Sequence, residues 1–385
     1  MISADPETAK SYQQIIDSYQ KANAGVKVNL EAVSGAYPYD KILTQLTTDS
    51  GPDLLDNWFG PIQSYGYRTL LTKLTPYKAR NAALFDGVFP VATELFTVKN
   101  DLYAVPYDVS SVGLYYNRNL FDNIGMQPPD ETWTTDTFKE AAAKLSNTSK
   151  QQWGTAVFPG DEPGWLNFLF AFGGRAFDDT GVKCTLDSPE AVQSFRYYFS
   201  DLKPYSPTAD EQKQQNFLDR FAAGQIAMVP LGSWSYAWAT DKVKADWSVS
   251  RLPHGKQAAS SAGGRGLCIP RATKQVDQAW SFATYFGLNP QSGPLLIKAS
   301  RQPAVKAVAE SAAYIQPQDH NGAKGWFVKA LSESTPFPNP PQLDQNVFRK
   351  TWSTVQADIL SGKVSPEDGA KSITQQINAY IATVK

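Results

Sequence analysis

Cysteine is nearly absent: Cys184 and Cys268 are the only two in 385 residues. They share no C-x-x-C spacing, which excludes zinc and dithiol redox motifs and leaves two free thiols behaving as small hydrophobes. Histidine is equally scarce. His254 and His320 are too few for a multi-histidine metal site and poor material for a proton relay. No metal and no cofactor is expected. Charge of one sign is also lacking, since 36 Lys+Arg meet 37 Asp+Glu for a net −1. Nothing is left over to neutralise a phosphate backbone, so nucleic acid and anionic membrane surfaces are excluded as partners. The longest apolar-rich stretch, Trp165 to Phe172, is broken by Asn167 and falls short of the roughly 18 residues that span a bilayer. A basic start with an apolar h-region is missing too. Met1-Ile2-Ser3-Ala4-Asp5-Pro6 leads straight into a helix, as if an initiator Met stood before a trimmed mature sequence.

Catalytic and nucleotide motifs are missing as well. There is no G-x-S-x-G and no G-x-x-x-x-G-K-[ST], and Gly263-Gly264-Arg265-Gly266 precedes a strand instead of joining a strand to a helix. Ser233 sits between a strand and a helix, but the two histidines lie in loop-like contexts, so no hydrolase triad is read. What is present in quantity is ring surface: 20 Phe, 18 Tyr and 10 Trp against only 19% charged residues. Carboxylates with aromatic company occur at Asp161-Glu162 beside Trp165, and at Asp53 and Asp56 near Trp58. Asp53 and Asp56 read as helix caps; a secreted glycosidase built on such a pair stays open as the enzyme alternative.

Along the chain, helical and strand periodicities alternate. Pro6 opens a helix from about 6 to 23 that carries Tyr12, Ile15, Ile16 and Tyr19 on one face, with Asp5 as its cap. Val26, Val28 and Leu30 then follow period two and predict a strand. A helix over Tyr39 to Leu46, the short strand Leu54-Leu55, β-like 102–106 and 112–116, a strand over Trp153 to Phe158 and an apolar helix at 164–172 continue the pattern. Helix–strand alternation of this kind predicts an α/β fold with mainly parallel sheets. The length corresponds to between two and three domains.

Ser50 to Leu55, Val105 to Arg118, Pro128 to Thr134 and Phe221 to Trp234 form an ordered series of segments that resembles elements of the extracellular solute-binding proteins of ABC sugar importers, the maltose-binding-protein-like family 1. Ser50-Gly51-Pro52-Asp53-Leu54-Leu55 is similar to its "SG-x-PD" element, Val105 to Arg118 to its "LYYNK" element, and Pro128-Pro129 through Trp133-Thr134 to "PP-x-TW". Phe221 to Met228 with Gly232-Ser233-Trp234 resembles "F-x-x-G-x-AAM…GSW", and Leu252-Pro253, Gly263-Gly264, Ile269-Pro270 and Ala279-Trp280 resemble the block after it. Pro338-Asn339 with Pro341-Gln342 is similar to the last hinge-side element. The matches come in order over nearly the whole chain. One departure is that members begin with a strand before the first helix, of which at most Met1-Ile2-Ser3 is present here.

The resemblance implies a type II, two-lobed periplasmic-binding-protein-like fold with an inter-lobe ligand cleft and hinge closure. Lobe 1 is expected at 1–110 with 266–315 and lobe 2 at 111–265 with 316–385, with hinges near 110–112, 263–266 and 312–320. It further implies a non-catalytic protein that delivers a carbohydrate, a di- or oligosaccharide, to a membrane permease. Such a protein is exported, periplasmic or lipid-anchored, and monomeric. Ligands in open α/β sheets bind beyond the carboxyl ends of strands. That rule selects Asn57, Trp58 and Phe59; Tyr107, Asp108 and Ser110; Asp161, Glu162 and Trp165; Ser233 and Trp234; and Gly263, Gly264 and Arg265. By family analogy Asp5, Asn346 and Phe348 complete the set. Trp58, Trp165 and Trp234 are the expected stacking platforms, and Asp108, Asp161, Glu162 and Arg265 the expected hydrogen-bonding partners of hydroxyls. A glycerophosphodiester or other phosphorylated polyol on the same fold is the alternative ligand, with Arg265 as its cation.

Overall fold

The computed structural model describes residues 2–3, 6–33, 38–160, 162–316, 319–343 and 345–384. The chain divides into two compact units, 1–110 with 262–315 and 111–261 with 316–385, so 262–265 belong with the first unit. Two of the three boundaries fall inside strands, Ala104–Asn117 and Ser260–Cys268, and the third, between Ile315 and Gln316, lies in irregular backbone.

In the first unit, helix Pro6–Ala22 buries the expected face, with Tyr12, Ile15 and Ile16 completely covered. Strand Leu55–Trp58 runs antiparallel to Cys268–Arg265, pairing Leu55 with Cys268 and Trp58 with Arg265. Gly264 has to be glycine: a Cβ there would sit 2.4 Å from the Asp108 carbonyl oxygen. Cys268 is a buried free thiol, as is Cys184 in the second unit. The expected strand at Val26–Leu30 is not formed. Its alternation survives, with Val26, Val28 and Leu30 half-buried between exposed neighbours, but the ladder is confined to Ile2–Ser3 against Ala32–Val33. A strand needs a partner for its backbone groups as well as a pattern.

In the second unit, Ala104–Asn117 contributes its later residues. Tyr115 pairs antiparallel with Val229 on one side and Val249 on the other. Tyr115, Trp153, Phe221, Trp247 and Phe327 build the core around this sheet. Thr134 caps helix Thr135–Leu145 through a reciprocal bond with Thr137, and Gly154 lets the next segment lie directly on that helix, since a Cβ would meet the Ala142 carbonyl oxygen at 2.0 Å. Trp153 to Phe158 was expected as a strand and forms only one bridge, Trp153 to Ile226. Thr155 N and Val157 N turn instead to the Tyr205 carbonyl and Ser206 Oγ. The expected 164–172 helix is a π-helical turn, Glu162–Leu166, running into the short α-helix Asn167–Ala171. Parallel pairing does not predominate among the described ladders: Ile2–Ser3 with Ala32–Val33 is parallel, but Leu55–Trp58, Met228–Gly232 and Trp247–Ser250 all pair antiparallel. Alternation of helix and strand fixes element order, and the direction in which each strand returns is decided by tertiary structure.

Candidate functional site

Asp5 and Asp161 lie outside the described residues, as does the side chain of Asn346. The remaining candidates separate into groups with distinct environments, each within one unit.

In the first unit, Tyr107, Asp108 and Arg265 join a buried ionic network. The Tyr107 hydroxyl donates to Asp56 Oδ1 at 2.7 Å, and Arg265 donates through Nη2 to Asp56 Oδ2 at 2.8 Å and through Nε to the Tyr107 hydroxyl at 3.0 Å. Tyr12 and Tyr107 share a hydroxyl bond, and Arg301 Nε donates to the Tyr12 hydroxyl at 3.0 Å. Burial pushes the Tyr107 phenol well above its ordinary value. Burial opposes the charge on Arg265, yet Asp56 and Tyr107 hold it firmly protonated. Asp108 accepts from the Gln302 backbone N–H, and burial lifts its carboxyl to about 6 against the pull of Arg301 and Arg265. Asp56 is thus no helix cap: it lies in strand Leu55–Trp58, opposite Leu267, and is 1% exposed. Asn57, Phe59 and Ser110 are buried, as are Gly263 and Gly264.

Trp58 differs from these. It ends its strand half-buried, stands edge-on to Phe59 at 5.0 Å, and donates its indole N–H to the Tyr39 hydroxyl at 2.7 Å. Tyr39, at the start of helix Tyr39–Thr47, is one of the exposed large rings. The pair forms an aromatic surface with a fixed polar seam.

In the second unit, Trp234 is 49% exposed, whereas Trp165 is fully buried. The Trp234 ring is laid over Gly232, where a Cβ would meet it at 2.2 Å, and lies 6.3 Å from Phe337. One face is supported and the indole remains open to solvent. Ser233, beside it, is buried. Trp165 instead packs edge-on against Trp352 at 5.0 Å and Phe195 at 5.7 Å, and Phe348 stands against Trp352 at 4.7 Å. The structure places these two in the core. Glu162, at the head of the π-helical turn, is gripped by Arg349, with Nε 2.9 Å from Oε1 and Nη2 donating to Oε2 at 3.0 Å. Burial raises its proton affinity and Arg349 opposes the rise. No group of metal-ligating side chains occurs among the described residues, and no described helix is long and apolar enough to cross a membrane.

Sequence reasoning missed Tyr12, Tyr39, Arg301, Phe337 and Arg349. Each is brought to its partner by tertiary contact. Only Tyr39, next to Pro38 in a loop-to-helix junction, had a local signal.

A family model described as bacterial extracellular solute-binding protein matches residues 14–321. The maltotriose-binding protein of Pyrococcus abyssi is 27% identical over 303 residues, 74% of this chain and 61% of that protein. The chain therefore spans less than two thirds of that relative. The maltooligosaccharide ABC transporter solute-binding lipoprotein of Streptococcus pneumoniae (strain R6) is 24% identical over 98% of this chain and 87% of its own length. Among solved structures, an ABC substrate-binding protein of Listeria monocytogenes in complex with cycloalternan superposes with a TM-score of 0.86 at 22% identity, covering 99% of this chain and 98% of that one. It has the same fold.

Proposed function

The chain belongs to the bacterial extracellular solute-binding protein family, and from that premise we propose that it captures a neutral di- or oligosaccharide, without chemical conversion, for an ABC importer. The observation that carries this reading is Trp234, an open indole supported on Gly232 and backed by Phe337. Sugars present an apolar C–H face that such a ring covers with little loss of side-chain entropy. The Trp58–Tyr39 surface offers the same chemistry in the first unit. The relatives named above take maltotriose and maltooligosaccharides, which favours a gluco-oligosaccharide.

Two features support a neutral ligand and the absence of catalysis. Arg265, the cation a phosphorylated polyol would need, is already committed to Asp56 at 2.8 Å. Glu162, the described member of the carboxylate pair a glycosidase would use, is held as an ion pair by Arg349. The permease is the partner, the protein works as an exported monomer, and a lipid-anchored or free form both fit this role.

Calorimetry against maltotriose, maltotetraose and lactose tests the reading. Saturable binding with unchanged sugar after prolonged incubation is expected, with Trp234→Ala weakening it at least tenfold. Failure of every sugar to bind, or steady release of hydrolysis product, refutes it.

A further inference from the structure

In the first unit Arg301 follows the turn that ends helix Gly293–Lys298 and opens an extended segment, 301–304, laid beside strand Ala104–Asn117. Its own N–H donates to the Leu296 carbonyl at 3.0 Å. The Gln302 carbonyl accepts from Val109 N–H at 2.9 Å, Gln302 N–H donates to Asp108 Oδ1 at 3.2 Å, and Ala304 N–H donates to the Tyr107 carbonyl at 3.2 Å. The main chain on both sides of Arg301 is therefore fixed.

The side chain is fixed at one nitrogen. Nε donates to the Tyr12 hydroxyl at 3.0 Å. Tyr107 gives its single hydroxyl proton to Asp56, so Tyr12 is the donor in the 3.2 Å bond the two phenols share. The donors thus run in one direction, from Arg301 through Tyr12 and Tyr107 to Asp56. Both phenols are completely covered, and Phe286 stands edge-on to them at 5.1 and 5.2 Å. Arg265, in the same network, is engaged through Nε and Nη2. Arg301 differs: it is half-buried, and among the described residues its Nη1 and Nη2 have no acceptor and no carboxylate comes within ion-pair distance.

Building on the carbohydrate-binding reading above, we propose that Arg301 is a specificity-determining residue whose terminal nitrogens donate to two hydroxyl oxygens on neighbouring carbons of the captured sugar, and that Tyr12 is the positioning residue that aims it. A guanidinium is a planar fork of parallel donors. With its backbone and Nε already held, little freedom is lost when the fork is filled. The acceptor is neutral because charge closes within the network: Arg265 and Arg301 are matched by Asp56 and by Asp108, whose carboxyl, lifted to about 6, is mostly ionised at neutral pH. The buried network then has a task, which is to hold one exposed pair of donors in place.

Calorimetry with maltotriose, maltotetraose and lactose tests this on the wild type, Arg301→Lys, Arg301→Met, Tyr12→Phe and the Tyr12→Phe/Arg301→Met double variant, each first shown to melt cooperatively. For whichever sugar the wild type binds, Arg301→Met should weaken affinity by about tenfold or more, and Arg301→Lys by about fivefold although the charge is kept. Tyr12→Phe, at a position completely covered, should lose about threefold, and the double variant should lose no more than Arg301→Met alone, because Tyr12 acts through Arg301. Millimolar sulfate should leave wild-type binding unchanged. Arg301→Lys binding within about twofold of the wild type overturns the assignment. So do Tyr12 and Arg301 losses that multiply in the double variant, and so does sulfate that displaces sugar from the wild type through Arg301, which would make this an anion site. A wild type that binds no sugar overturns the carbohydrate reading and this one with it, whereas sugar binding indifferent to Arg301 overturns this one alone.

Discussion

Replacing Arg265 by Met removes a charge while keeping most of the side chain's volume. Asp56 is 1% exposed and takes its hydrogen bonds from the Tyr107 hydroxyl at 2.7 Å and from Arg265 Nη2 at 2.8 Å and Nε at 3.2 Å. In Arg265→Met the carboxylate keeps the Tyr107 bond of these and loses the Arg265 charge. Removing one partner of a buried pair costs roughly 3–5 kcal/mol because the other is left uncompensated. Arg265 retains some solvent contact, with a side chain 20% exposed, which places the expected loss near the lower end, about 3 kcal/mol. At roughly 2–4 °C per kcal/mol for a folding unit of this size, the first unit should melt about 6–12 °C lower. The assay is differential scanning calorimetry on Arg265→Met, Asp56→Asn and the double variant. Removing both charges leaves no orphan ion, so the double variant should be more stable than Arg265→Met alone. A shift under about 2 °C for Arg265→Met, or a double variant whose loss is the sum of the two single losses, refutes the reasoning.

Asp108 should make stability depend on pH. Its folded carboxyl keeps its proton up to about pH 6, while the unfolded chain releases it near pH 4. The contribution of Asp108 to stability is therefore fully present below that window and is lost as pH rises through it, by about 2–3 kcal/mol. Asp108→Asn, which still offers an acceptor to the Gln302 N–H, should flatten this slope in urea titrations at pH 4, 5, 6 and 7 and be the more stable protein at pH 7; an unchanged slope sinks the idea. The tryptophans should split by role: Trp165→Ala should lower the melting temperature through a loss of about 3–5 kcal/mol, whereas Trp234→Ala should leave melting within about 2 °C and reduce sugar affinity. The reverse pattern in paired thermal and calorimetric measurements would exchange their assignments. Gly154→Ala forces a Cβ to 2.0 Å from the Ala142 carbonyl oxygen, so a loss above about 2 kcal/mol is expected in urea unfolding, and a neutral result would mean the segment shifts freely.

What could be read in advance depended on whether the signal was local. The helix at Pro6–Ala22 was legible because its start residue and apolar stripe both lie in the sequence, and the same holds for the Thr134 cap. Trp58 and Trp234 were singled out from their positions at strand ends, and both keep some exposure to solvent. Trp165 carried the same local signature, yet Trp352 and Phe195 enclose it, and they lie far away along the chain. Asp56 looked like a cap because only its sequence neighbours were visible; its partner is Arg265. The strand at Val26–Leu30 had the right alternation and lacked a ladder. Pattern sets which face turns inward, and pairing depends on backbone supplied from elsewhere.

The ionic network also sets a timetable. Asp56 and Arg265 are 209 residues apart in the chain. At roughly 5–20 residues per second, the ribosome delivers the arginine about 10–40 s after the aspartate. Throughout that interval strand Leu55–Trp58 lacks its antiparallel partner Cys268–Arg265, and Asp56 lacks Arg265. The first unit, although its sequence begins first, therefore stays open at this seam until the chain is about two thirds made.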